Sequence, residues 1–107
     1  MTYYLFKFDE GEEGAKDFDD FLENCSKYFV EVRCKNCFII AISEGKHRSD
    51  VFKFIKDNFK SSVEVELSWK EEKETKRQIV NFNPENGVFI TQYLIFSLNL
   101  EYYFNNI

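Results

Sequence analysis

Eight carboxylates crowd residues 9–23, where Asp9, Glu10, Glu12, Glu13, Asp17, Asp19, Asp20 and Glu23 stand against one lysine, Lys16. Carboxylate oxygens are hard ligands, so the segment invites a divalent cation. It also makes an acidic surface that imitates phosphate spacing and docks on a partner's basic groove, where complementary charge speeds encounter and helps select the partner. A solvated loop leading into a helix start, where the dipole favours acids, has the same composition. The spacing Asp9-x-Gly11-x-x-Gly14 lacks the ligand positions of an EF-hand loop, which removes that route to calcium.

A second constellation is Cys34-Lys35-Asn36-Cys37, half of a tetrahedral zinc site that Cys25 and His47 would have to complete. No second C-x-x-C accompanies it, and a two-residue turn accounts for the spacing. No metal is therefore expected; if one binds, Cys34 and Cys37 are its first ligands. Under oxidation the pair invites a cross-strand disulfide. His47, the sole histidine, reads as a solvated loop residue rather than a general base. The strip Lys46, Arg48, Lys53, Lys56 and Lys60 suits phosphate contact, but lysines alternating along a helix face ordinarily serve solubility. No nucleophile elbow, phosphate-cradling loop or pair of catalytic carboxylates is present, so no catalytic residue and no cofactor is assigned.

The chain that must position these groups has 107 residues, 44% of them hydrophobic, enough for one domain with a modest core. Thirteen Phe and six Tyr mark a chain that folds by itself rather than a disordered segment. A net charge of −5 has the wrong sign for a protein that must neutralise phosphates, so nucleic acid is not the expected partner. The start Met1-Thr2-Tyr3-Tyr4 does not read as a signal peptide. With three cysteines and no disulfide framework, the expectation is a cytoplasmic protein with free thiols.

Residues 3–8 and 38–42 are apolar on both faces, which requires central strands covered twice. Residues 29–34 and 63–69 alternate, as strands with one wet face do. Between them lie two amphipathic helices. One starts near Ala15 with the stripe Phe18, Phe21, Leu22, Cys25, Tyr28 and Phe29; the other is capped by Ser49 or Asp50 with Val51, Phe52, Ile55 and Phe59 inward. The order strand, helix, strand, strand, helix, strand predicts an α+β, ferredoxin-like βαββαβ core over residues 1–70, an antiparallel sheet with both helices on one face. Two helices leave the other face bare, and Phe38, Ile40 and Ile42 then need a cover from residues 71–107 or from another copy. Residues 70–77 read as a charged linker. Asn83-Pro84-Glu85 suggests a helix start, and residues 88–104 read first as an apolar helix, although Ser97, Asn99 and Glu101 alternate as in a strand. Five polar interruptions argue against a membrane span.

A ferredoxin-like order with an aspartate ending its first strand, in Phe6-Lys7-Phe8-Asp9, resembles the small nuclease-fold subunit of the CRISPR spacer-acquisition complex and its VapD-like toxin relatives. The resemblance covers residues 3–69 and rests on topology and that aspartate. It implies a dimer in which two copies of Asp9 hold a metal ion for phosphodiester cleavage. The loop after Asp9 is far more acidic than suits an enzyme approaching a phosphate backbone, and the C-terminal tail has no counterpart in that family. The expected function is a small acidic, non-enzymatic protein-binding module, an inhibitor, immunity or anti-CRISPR-like phage counter-defence protein whose acidic pole meets a basic partner. The alternatives are a metal-dependent nuclease acting through Asp9 in a homodimer and a structural subunit that oligomerises through residues 93–104.

Overall fold

The twice-buried strands anchor the structure. β1 (Thr2–Phe8) buries Tyr4, Leu5, Phe6 and Phe8, and β3 (Phe38–Ser43) buries five consecutive residues, 39–43. Such runs survive only with apolar layers on both sides. The computed structural model describes residues 1–45, 47–93 and 99–107. Around these strands stand α1 (Glu12–Asn24), which closes in a 3₁₀ turn, β2 (Glu31–Lys35), α2 (Arg48–Asn58), β4 (Val63–Glu71), β5 (Glu74–Asn83), β6 (Val88–Tyr93) and α3 (Leu100–Asn105). The fold is α+β. Among the described residues six strands form one antiparallel sheet in the order β2-β3-β1-β4-β5-β6.

Period-2 alternation divides the core in two. On one face Tyr4, Phe6, Phe8, Ile39, Ala41, Val63, Val65, Leu67, Val80 and Phe82 meet Phe21 of α1 and Val51 and Ile55 of α2. Aromatic rings dominate that layer, with Phe6 and Phe21 edge to face at 4.6 Å between centroids. On the other face Leu5, Ile40 and Ile42 pack against Leu100 and Phe104 of α3. The set left bare by α1 and α2 is thus covered from within the chain. Arg33 of β2 fastens the cover, donating to the Phe104 carbonyl and lying 4.3 Å from the centroid of the Phe104 ring.

Four local expectations are corrected. Residues 70–77 are no linker: β4 and β5 pair to the Glu71–Glu74 closure, with Glu72 at a φ of 56° in the turn. Most of this stretch is exposed, so charge on both faces is compatible with a ladder that projects beyond the helices. Residues 88–93 are strand β6 rather than helix, in keeping with the strand preference of Val88, Phe89, Ile90 and Thr91. Asn83-Pro84-Glu85 opens a hairpin loop instead of a helix: the Asn83 side chain accepts from the Glu85 N–H at 3.0 Å, and Gly87 takes a φ of 65°. The part of that helix expectation on residues 94–98 lies outside the described residues. Finally, α2 starts at Arg48 with His47 at its N-cap, ahead of both Ser49 and Asp50. Among the described residues no helix is long and apolar enough to cross a membrane.

Candidate functional site: the outer face of the first helix

α1 buries Gly14, Asp17 and Phe21. Gly14 lets the helix sit directly on the end of β1, because a Cβ there would stand 1.9 Å from the Asp9 carbonyl oxygen. Asp9 faces the same junction, its Oδ2 accepting from the Gly11 N–H at 3.1 Å. Its carboxylate thus serves the N-terminus of α1, where the helix dipole favours negative charge.

Asp17 leaves the acidic surface altogether. It is 4% exposed, and its carboxylate accepts from the Lys60 N–H at 3.0 Å and from the Ser61 N–H and hydroxyl, both at 2.8 Å. The residue on the inner turn of α1 therefore clamps the segment that follows α2. Removing it from the expected partner-binding set leaves Asp9, Glu10, Glu12, Glu13, Asp19, Asp20 and Glu23, all exposed. None of the seven forms an ion pair among the described residues.

Glu12 and Glu13 occupy the first turn, where the dipole stabilises them. Asp19 and Asp20 lie mid-helix, outside either terminal turn, and Glu23 lies in the last turn, where the dipole favours cations; the 3₁₀ turn that follows carries Lys27. Glu23 in that turn costs about 0.3–1 kcal/mol. Helix stability therefore explains the two glutamates of the first turn and leaves the three later acids unexplained.

The remaining candidates are dispersed. Cys25 is buried, Cys37 half-buried and Cys34 exposed, all as free thiols. Burial, with a smaller contribution from Cys34, pushes the Cys25 thiol up to about 12. Cys37 precedes β3 and His47 follows it, so the strand's length separates them. Among the described residues no three His, Cys, Asp or Glu side chains converge in a metal-binding group. Of the basic strip, Lys53 pairs with Asp57 at 2.8 Å, and Lys60 gives its backbone N–H to Asp17. Lys46 lies outside the described residues.

Two groups on the sheet face opposite α1 escaped the sequence reading. Lys7 bridges Glu64 at 3.1 Å and Glu66 at 3.3 Å. Burial acts to lower its pKa, but the two carboxylates outweigh burial and raise it. Arg77, read in sequence as part of a charged linker, is half-buried on β5. Its one sequence signal is its place, in strand alternation, ahead of the apolar Ile79. Comparison of the chain with profiles of known protein families, with curated proteins and with solved structures returned no match.

Proposed function

We propose that this chain is a protein-binding module that docks the outer face of α1, with the loop ahead of it, on a basic protein surface. The observation that carries the reading is the trio Asp19, Asp20 and Glu23, exposed and unpaired among the described residues, none of them stabilised by the helix dipole and Glu23 set against it. Charges that their own helix does not stabilise suit an external cationic partner, for which they accelerate encounter and penalise acidic competitors. Inhibitors, immunity proteins and phage counter-defence proteins of small size act in this manner. The strand order β2-β3-β1-β4, with α1 and α2 on one face, supports a ferredoxin-like core to which β5 and β6 are added.

The test is capture from host lysate by the parent chain and by a variant carrying Glu12→Lys, Glu13→Lys, Asp19→Lys and Asp20→Lys. Asp17 stays untouched because its loss would confound docking with unfolding. The parent is expected to retain one stoichiometric protein partner, and the variant, with an unchanged circular dichroism spectrum, to bind it at least about tenfold more slowly at low salt. Equal capture by both would sink the proposal. A parent that retains nothing but cleaves nucleic acid with magnesium, in a reaction abolished by Asp9→Ala, would favour the nuclease reading.

A further inference from the structure

Antiparallel register lines up Tyr3, Ser68 and Arg77 across β1, β4 and β5, on the sheet face away from α1 and α2, with Lys70 beside Thr75 one row further. These residues, together with Asn99 at the N-cap of α3, line a pocket of about 370 Å³. Arg77 is the anomaly in it. No described residue accepts a hydrogen bond from its guanidinium or pairs with its charge, and its Nε is shut off from solvent without a partner. A guanidinium carries five N–H donors and cannot shed its charge, while enclosed polar groups in folded proteins nearly always find acceptors. Of the carboxylates on the same face, Glu64 and one oxygen of Glu66 are tied to Lys7, and the second Glu66 oxygen is itself enclosed without a hydrogen bond to Arg77.

The other lining groups are complementary to an anion. Lys70 adds a second positive charge and forms no ion pair among the described residues. Neutral donors come from Tyr3, Ser68, Thr75 and the amide nitrogen of Asn99, whose Oδ1 is already engaged by the Tyr102 N–H at 3.1 Å. Burial, with the charges of Glu101 and Glu31, pushes the Tyr3 phenol above its usual range and keeps it a donor. Glu101 is the one acid lining the pocket, so two cations outnumber it. The volume falls in the range of roughly 300–1,000 Å³ seen for small-molecule sites, well beyond the needs of a single ion.

We propose that this pocket binds a small organic oxyanion, whose carboxylate or phosphate takes the planar fork of Arg77 while Lys70 and the hydroxyls of Tyr3 and Thr75 hold the remainder. Planar bidentate pairing is what distinguishes arginine from lysine at such sites. The site lies on the face opposite α1, and its test is independent of protein docking.

The experiment is an amide NMR titration of the isotope-labelled full chain with succinate and, separately, with inorganic phosphate, following the backbone amides of Ser68 and Arg77 and the Arg77 Nε–H. Saturable shifts centred on these groups are expected. Arg77→Gln is expected to weaken the response by about tenfold or more, the equivalent of one charge-assisted hydrogen bond. Arg77→Lys, which keeps charge but not the fork, should fall between. Lys70→Gln gives a partial loss and serves as the second variant should Arg77→Gln lose amide dispersion. Lys53→Gln, on α2, should change nothing. Saturation by phosphate alone or by succinate alone assigns the class of headgroup. Shifts that fail to saturate with both probes, or that persist unaltered in Arg77→Gln and Lys70→Gln, overturn the site.

Discussion

Asp17 holds the loop after α2 through its buried carboxylate, and three N–H or O–H donors depend on it. Substitution by alanine removes the acceptor of the part-buried Lys60 and Ser61 donors, and a hydrogen bond to a charged group contributes about 1.5–3 kcal/mol. Asp17→Ala is therefore expected to destabilise the fold by about 2–3 kcal/mol, whereas Asp20→Ala, on the outer face, should stay within about 0.5 kcal/mol. Denaturant midpoints of the two variants check this; equal midpoints would contradict the clamp. Cys25 offers a second residue-level reading. Its pKa rises from 9.0 to about 12 through burial, so the thiol ionises more readily in the unfolded chain. The stabilisation is whole below about pH 9 and is lost as pH climbs toward 12. Lys7, Tyr3 and Tyr4, all shifted upward, add to the same alkaline loss. Unfolding midpoints against pH should thus fall above pH 9, and Cys25→Ala should flatten that fall; an unchanged slope would remove Cys25 from the explanation. The position of Cys25 on the inward stripe of α1 was legible in sequence, whereas the role of Asp17 was not, because its partners lie 43 and 44 residues away.

At the scale of elements, α3 has six residues, too few to persist as an isolated helix in water. Packing holds it. Phe104 is 2% exposed, meets Tyr3 edge to face at 6.1 Å and lies under Arg33. Phe104→Ala is expected to cost about 3–5 kcal/mol, as large cavities in cores do, with the molecular mass in size-exclusion chromatography unchanged. A drop in mass without a drop in stability would mean that the tail serves contacts between subunits instead. The need for this cover was legible from Phe38, Ile40 and Ile42 on the face opposite to Ile39. Its identity was not, since a six-residue helix carries little periodic signal and residues 88–93, apolar enough for a helix, pair with β5 instead.

For the whole molecule, charge and surface divide by face. α1 presents acids on its outer side that form no ion pair among the described residues, while the sheet's far face holds Arg77 and Lys70 in a pocket. If the acidic side steers a basic partner, association should slow steeply as salt rises toward physiological strength, where the Debye length shrinks to about 8 Å. The mutational test of that face leaves the pocket intact, and the reverse holds as well. By itself the sequence determined the α+β class, the twice-covered strands β1 and β3, the inward stripes of α1 and α2 and the density of acids ahead of and along α1. These are written in periods of two and 3.6 residues and in local composition, which neighbouring residues specify among themselves. Only the tertiary structure decided that Asp17 is a clamp, that residues 70–77 are a hairpin, that β6 is a strand and that the Arg77 Nε is enclosed with no partner among the described residues. The Asp17 clamp and the surroundings of Arg77 depend on which distant segment lies alongside, which leaves no periodic trace in the chain; the two hairpins are local, hidden by charge on both faces of residues 70–77 and by an apolar content in residues 88–93 that suits a helix as well.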